Sequence, residues 1–105
     1  MSAQRAEIRD WSSEMAGLLA GEPSVAGWRD FLLCLADVLG DREIDEREAL
    51  TESHIQVRRF YAGASRMTSD FVLYRPDRAE MSAANERLLD LRWKIEAALA
   101  RAAGS

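Results

Sequence analysis

The chain has 105 residues, of which 48% are hydrophobic, and a net charge of −4. This length predicts a single domain, residues 1–105, with enough apolar residues for one core. No segment has the roughly 20 consecutive apolar residues that span a bilayer. Residues 1–7 lack the basic and apolar regions of a signal peptide, and the lone Cys34 cannot form an internal disulfide. We therefore expect a cytoplasmic protein without membrane contact.

The charged residues are distributed unevenly along the chain. Residues 1–52 contain twelve acidic and five basic residues, whereas residues 53–105 contain six and nine. A bipolar molecule of this kind can associate with itself or with a charged partner. The alternative is that charges scatter unevenly in any short chain.

Two helices are predicted in the first forty residues. The first extends from Ser2 to Ala20 and ends at Gly21. Ser24 is the predicted N-cap of a second helix, which extends to Leu39 and ends at Gly40 in a left-handed conformation. The second helix carries a wide apolar stripe, so we expect other elements to cover it on two or more sides. The face of the first helix consists of Ile8, Trp11, Met15, Leu18 and Leu19.

Two apolar rows with a seven-residue repeat predict a long helical hairpin in the rest of the chain. Arg75-Pro76-Asp77 separates the rows and is long enough to reverse the chain direction. We expect one helix from Glu46 to Tyr74 and another from Arg78 to Ala102, with Asp45 and Asp77 as their N-caps. Gly63 and residues 68–70 are places where the earlier helix could break. The rows are Leu50, Val57, Phe60, Ala64, Met67, Phe71, Tyr74 and Met81, Ala84, Leu88, Leu91, Ile95, Ala98, Ala102.

These elements predict an all-α protein: an up-down helical bundle of about four helices with a long antiparallel C-terminal helical hairpin. The hairpin helices are longer than the first two, so part of the hairpin is expected to protrude. A protruding apolar seam favours a second copy or another partner. We therefore expect a homodimer with the hairpin at its interface.

No residue pattern indicates an enzyme or a bound cofactor. The only histidine, His54, lies beside the first hairpin row and is interpreted as a core or interface residue. Cys34 lies in the most apolar run of the chain, where a thiol is ordinarily inert filler. Glycine-rich phosphate loops, zinc-protease signatures and nucleophile elbows are missing from the sequence.

The acidic stretch between the second and third helices allows a metal-binding alternative. Its acids fall at positions 1, 3, 5 and 12 of a calcium-type loop, namely Asp41, Glu43, Asp45 and Glu52. Glu46, however, stands where the sharp turn of such a loop needs glycine. The segment from Leu35 to Glu48 also resembles the acidic helix-loop-helix of TerB-like tellurite-resistance domains, which implies an all-helical fold with an acidic metal site. It covers under a fifth of the chain and has Asp41-Arg42 where that family usually has Asp-Gly. A solvated helix start explains the same acids, and we favour it.

An arginine-rich helix face allows a second alternative, nucleic-acid binding. Against it stand the acidic total charge and the lack of a recognisable reading module. The arginines concerned are Arg58, Arg59, Arg66, Arg75 and Arg78.

The favoured hypothesis is a non-enzymatic protein that binds a larger cytoplasmic protein or complex as an accessory, adaptor or inhibitory subunit. A phage or mobile-element inhibitor of a host machine would fit the same description. Trp93 lies off the Leu88–Leu91–Ile95 row, where a large aromatic residue is an interface candidate; packing against the first helix is its alternative. The predicted partner-binding residues are Trp93, Arg59, Arg66, Glu43, Glu46 and Glu48.

Overall fold

The computed structural model describes residues 1–104, and all regular structure within them is helical. The predicted all-α class is therefore confirmed. A 3-10 turn at Pro23–Val25 precedes the second of five α-helices. The helices are α1 (Ala3–Leu18), α2 (Ala26–Gly40), α3 (Glu46–Gly63), α4 (Ser65–Ser69) and α5 (Arg78–Gly104).

The four longer helices alternate in direction around a shared core. The start of α1 meets the end of α2, where Arg5 Nε donates to the Leu39 carbonyl at 2.6 Å. The start of α2 meets the end of α3 through Trp28 and Tyr61, and the start of α3 shares a surface hollow with Ala102 near the end of α5. The 42 Å long dimension of the molecule matches α5, whose 27 residues rise roughly 40 Å.

The core contains the apolar rows that the sequence indicates for α1 and α5. Ile8 and Met15 of α1 and Leu19 directly after it are completely buried, and the predicted α5 row is buried at its centre from Leu88 to Ala98. The predicted ion pairs of α5 also form, Lys94–Asp90 at 3.0 Å and Arg92–Glu96 at 3.7 Å. Asp77 caps this helix by accepting from the Glu80 N–H at 3.0 Å. Other core members are Val25, Trp28, Leu32, Leu35, Leu39, Leu50 and Val57.

The turn between α1 and α2 is partly as predicted. Gly21 has a φ of 80°, a conformation that favours glycine, and it follows the end of α1. The prediction of Ser24 as an N-cap is wrong, because Pro23 opens a 3-10 turn first and α2 begins only after Val25, without a side-chain cap. Cys34 is exposed rather than buried, since it lies on the outward side of α2 with Gly27, Asp30 and Asp37.

A buried arginine closes the turn between α2 and α3. Arg5, which is 4% exposed, donates to the carbonyl oxygens of Val38, Leu39, Asp41 and Ile44 at 2.6–3.4 Å. Carbonyl oxygens at a helix end lack partners within the helix and carry partial negative charge, so the guanidinium supplies both hydrogen bonds and opposite charge.

One prediction about this turn is wrong, and another holds only in part. Gly40 is not left-handed, because among residues 1–104 only Gly21 has a positive φ and Arg5 already serves the carbonyls there. Asp45 is the N-cap residue of α3, as predicted, but its side chain makes no capping hydrogen bond. Instead the Ser2 N–H donates to Glu46 Oε1 at 2.9 Å, and hydrogen bonding to Ser2 lowers the pKa of Glu46.

The predicted continuous helix from Glu46 to Tyr74 is wrong. It ends at Gly63, where Ala64 leaves helical geometry with φ −113° and ψ 24°, and α4 adds only residues 65–69. Residues 71–75 lie outside any helix, and the hydrogen bonds between Leu73 and Asn85 show that the chain reverses between these two residues, as predicted.

The side chain of Asn85 holds the segment between α4 and α5 in place. Its Oδ1 accepts from the Leu73 N–H at 2.8 Å, and its Nδ2 donates to the Leu73 carbonyl at 2.9 Å. This pair of bonds holds Leu73 as a neighbouring strand would, and Leu73 is completely buried. Tyr74, a predicted row member, is 74% exposed. The seven-residue spacing of apolar residues thus continues beyond residue 63, although the predicted continuous helix does not.

Candidate protein-binding surface on α5

The outer face of α5 carries two large apolar side chains in solvent. Leu89 is 65% exposed and Trp93 is 71% exposed, whereas Leu88, Leu91 and Ile95 on the same helix are buried. A step of four residues makes Leu89 and Trp93 neighbours on the helix surface. Ala97 and Ala100 continue the row at steps of four and three. The side chains of the row are therefore large in its first half and small in its second half. We call Leu89, Trp93, Ala97 and Ala100 the outer row.

A hollow adjoins the outer row on the side of α4. Its volume is about 570 Å³, and Val72 at its edge is 43% exposed. Leu89 belongs both to this hollow and to the outer row, so the two form one continuous surface. The hollow is lined by Trp28, Thr68, Ser69, Phe71, Val72, Asn85, Leu88, Leu89 and Arg92.

Aromatic packing supports the base of this hollow. The Trp28 indole N–H donates to the Tyr61 hydroxyl at 3.1 Å, and Phe71 meets the same indole edge-on at 6.2 Å between ring centroids. The Arg92 guanidinium lies 4.0 Å from the centre of the Tyr61 ring, a cation–π contact. Burial raises the pKa of Tyr61 to about 12. The surface is therefore built on packed rings.

Ion pairs join α5 to α1 beside the outer row. Arg87 donates from Nε and Nη2 to Glu14 at 2.5 and 2.8 Å and from Nη1 to Asp90 at 3.0 Å. Its hydrogen bond lowers the pKa of Glu14, and the same bond raises the pKa of Arg87. Lys94 lies 5.9 Å from the Trp11 ring. Trp93 is 71% exposed, so its alternative packing against α1 is wrong.

The predicted binding residues are all exposed, but they do not form one surface. Glu43, Glu46 and Glu48 lie at the turn before α3 and in its first residues. Arg59 lies near the other end of α3, and Arg66 is in α4. Thirteen residues of helix separate Glu46 from Arg59, which is roughly 20 Å along the axis.

The structure does not bring the proposed metal ligands together. Asp41 Oδ1 accepts from the Glu43 N–H at 2.9 Å, and Glu52 accepts from the Gln56 amide at 2.7 Å. Within residues 1–104, no three His, Cys, Asp or Glu side chains form a group that could hold a metal ion. The conformation of the acidic turn is therefore set by the hydrogen bonds from Arg5 to its carbonyl groups, and it does not have the geometry of a calcium loop.

Arg75, one of the arginines considered for nucleic-acid contact, has a role within the fold. It donates to the carbonyl oxygens of Tyr74 at 2.8 Å and Leu18 at 3.5 Å, and so connects the α4–α5 segment to the end of α1. Arg58, Arg59, Arg66 and Arg78 are exposed.

Sequence reasoning missed Leu89 and Arg5. Leu89 precedes Trp93 by one helical turn, and that spacing was a signal that two large apolar residues share the outer face. Arg5 gave no signal, because its four carbonyl partners lie 33–39 residues away in the chain.

Among the described residues, no helix is both long and apolar enough to cross a membrane. Comparison of the chain with protein-family models, curated proteins and solved structures finds no match. The interpretation of the surface on α5 therefore depends on the geometry of this chain alone.

Proposed function

We propose that this chain is a non-enzymatic protein-binding module that docks through the outer row of α5. The exposure of Leu89 and Trp93 on one helical turn carries the proposal. Burying a side chain of this size contributes roughly 1.5–3 kcal/mol, and exposed tryptophans on a supported surface are the usual energetic centres of interfaces. The aromatic packing beneath the adjoining hollow provides that support.

The proposed occupant is a second copy of the chain, because the outer row complements itself in size. Its steps of four, four and three residues sum to eleven, a spacing that keeps a row on one face of a helix and occurs in paired helices. In an antiparallel pair of α5 helices, Trp93 lies against the small side chain of the partner subunit's Ala97. By symmetry, Ala97 of the first copy lies against the partner subunit's Trp93. The large residues of each copy therefore meet the small ones of the other.

The charges beside the outer row favour the same orientation. The N-terminal half of α5 carries two basic and three acidic residues, a net charge of −1, whereas its C-terminal half carries three basic residues and one acidic residue, a net charge of +2. Antiparallel pairing brings opposite charges near each other, and parallel pairing brings like charges together. Salt screens such exposed charges, so they select the orientation more than they add affinity.

In this proposal the dimer acts as an accessory, adaptor or inhibitory unit within a larger cytoplasmic assembly. Its remaining exposed charged residues would contact that assembly. Those at the start of α3 are acidic, and those towards α4 are basic. The acidic group is Glu43, Glu46 and Glu48, and the basic group is Arg59 and Arg66.

The test is the molar mass in solution. We expect light scattering on the eluting protein to give twice the 11.8 kDa of one chain. Trp93→Ala should weaken the dimer by about 30-fold or more, since a buried interface tryptophan contributes about 2 kcal/mol or more. Tyr74→Ala is the matched control, because Tyr74 is an equally exposed aromatic residue outside the outer row, and it should leave the mass unchanged.

A size-exchange variant tests the occupant. Ala97→Trp alone should weaken the dimer, because it removes the space that Trp93 needs. Trp93→Ala combined with Ala97→Trp exchanges the large and small positions and should restore most of the affinity. A monomeric mass at millimolar concentration, or an exchange variant weaker than both single variants, would overturn the proposed dimer.

A further inference from the structure

A second cavity lies between α2 and α3 and shares no residue with the surface on α5. Its volume is about 200 Å³, and it is lined by Phe31, Cys34, Leu35, Val38, Glu52, Ser53 and Gln56. Phe31 stacks flat on Phe60 with 4.3 Å between ring centroids. The walls are thus aromatic at one side and aliphatic at the other.

The hydroxyl of Ser53 on this cavity lacks a hydrogen-bond partner. The residue is 1% exposed, and its Oγ is buried without a donor or acceptor in reach. Other buried helical hydroxyls of this chain bond to the carbonyl four residues earlier, as Ser12 does to Ile8 at 2.8 Å and Thr68 to Ala64 at 3.1 Å. An unpaired buried hydroxyl costs about 1–3 kcal/mol, so Ser53 would gain from a polar atom placed in the cavity.

The rim of the cavity selects against anions. Glu52 carries a negative charge there, and its Oε1 already accepts from Gln56 Nε2 at 2.7 Å. The remaining walls offer no cation to a ligand. The mainly apolar walls disfavour a buried charge of either sign, so a bound molecule is neutral, apolar over most of its surface and equipped with one hydrogen-bonding group.

We infer that this cavity binds a neutral single-ring aromatic molecule that carries one hydroxyl or N–H group. A cavity of roughly 150 Å³ accepts benzene, so this one has room for a ring with a small polar substituent. The ring would lie beside Phe31, and the Ser53 side chain would rotate to another staggered conformer to bring its buried hydroxyl to the polar atom of the ligand. Phenol is the simplest molecule of this class.

The test compares phenol, toluene and benzoate as probes, with binding followed by chemical-shift titration of the whole chain. Phenol should bind about tenfold more tightly than toluene, because it alone pairs the Ser53 hydroxyl, and benzoate should bind weakest. Cys34 gives an independent measurement: its thiol is exposed and borders the cavity, so phenol should slow its alkylation.

Ser53→Ala separates the hydrogen bond from the cavity. This variant should reduce the preference for phenol over toluene from about tenfold to near unity, with toluene affinity retained. Ser13→Ala removes an exposed hydroxyl and should leave the preference intact. Val38→Trp fills the cavity and should abolish binding of both neutral probes, with retained helicity showing that the chain is folded. No phenol binding by the wild-type chain, or an unchanged preference in Ser53→Ala, would overturn the inference.

Discussion

The guanidinium of Arg5 serves as the C-terminal cap of α2. Helices commonly end with a left-handed glycine that satisfies the last carbonyl groups, and Gly40 is available at that position. Here a side chain from another helix binds those carbonyls instead, so α2 ends without left-handed geometry. The planar guanidinium spans four acceptors at once, which the point charge of an ammonium cannot do.

Arg5→Lys should therefore destabilise the protein by about 2–3 kcal/mol, because several charge-assisted hydrogen bonds are lost at a buried site. Urea denaturation measures the change. Arg9→Lys is the control on the same helix, since Arg9 is partly exposed and pairs with the adjacent Asp10; it should change stability by less than about 0.5 kcal/mol. Equal effects of the two substitutions would contradict the capping role.

Tyr61 makes stability depend on alkaline pH. Burial raises the pKa of its phenol to about 12, whereas the ordinary value is 10.0. The folded state thus binds the proton more tightly, so this contribution is complete below pH 10 and is lost as pH rises towards 12. A phenolate absorbance titration of Tyr74→Phe, in which only Tyr61 reports, should show the raised pKa. Ionisation near pH 10 in the folded protein would refute it.

At the scale of the element, apolar spacing predicted burial better than conformation. The α5 row is buried as expected, and α3 follows its row through Val57 and Phe60. Beyond Gly63 the same spacing persists in Met67 and Phe71, which still pack on the core, although residues 71–75 lie outside any helix. The hydrogen bonds between Leu73 and Asn85 join residues twelve apart, and a local repeat carries no information about them.

Two glycines in adjoining elements should respond oppositely to the same substitution. Gly17 lies in α1 with open space around an added Cβ, so Gly17→Ala should stabilise the protein by about 0.5–1 kcal/mol. Gly21 has φ +80°, and Gly21→Ala should destabilise it by about 1–2 kcal/mol because a Cβ is strained there. Thermal unfolding of both variants measures the difference. The same sign for both would contradict the assigned ends of α1.

At the scale of the molecule, features that depend on residues close in the sequence were predictable, whereas features that depend on residues far apart in the sequence were not. The helical class, the direction changes and the buried faces follow from patterns of three to seven residues. The cap from Arg5, the Trp28–Tyr61 bond and the unpaired Ser53 depend on how separate helices meet. The candidate surface was therefore only partly predictable: Trp93 was identified from its position off the row, whereas Glu46 and Arg59 were grouped with it although α3 keeps them apart.

The Glu14–Arg87 pair, which joins α1 to α5, makes the stability of the protein decrease at acidic pH. Hydrogen bonding to Arg87 lowers the pKa of Glu14 below its ordinary 4.5. Its contribution is therefore complete above pH 4.5 and disappears as pH falls through the lower folded value. Because both side chains are 40% or more exposed, Glu14→Gln should lower Tm by no more than about 3 °C at neutral pH. Glu7→Gln is the exposed control on α1. A difference that persists at pH 2 would argue against the ion pair.

The segment between α4 and α5 lies outside any helix, and cleavage within it would divide the chain into a long and a short fragment. Tyr74 is exposed and lies outside any helix, so chymotrypsin should cleave after it before it reaches the helical residues. The fragments 1–74 and 75–105 should then elute together and retain their helicity, because α5 packs on both α1 and α3 and Asn85 still holds Leu73. Gel filtration of the nicked protein followed by mass spectrometry decides this, and fragments that separate would show that the covalent link itself keeps α5 in place.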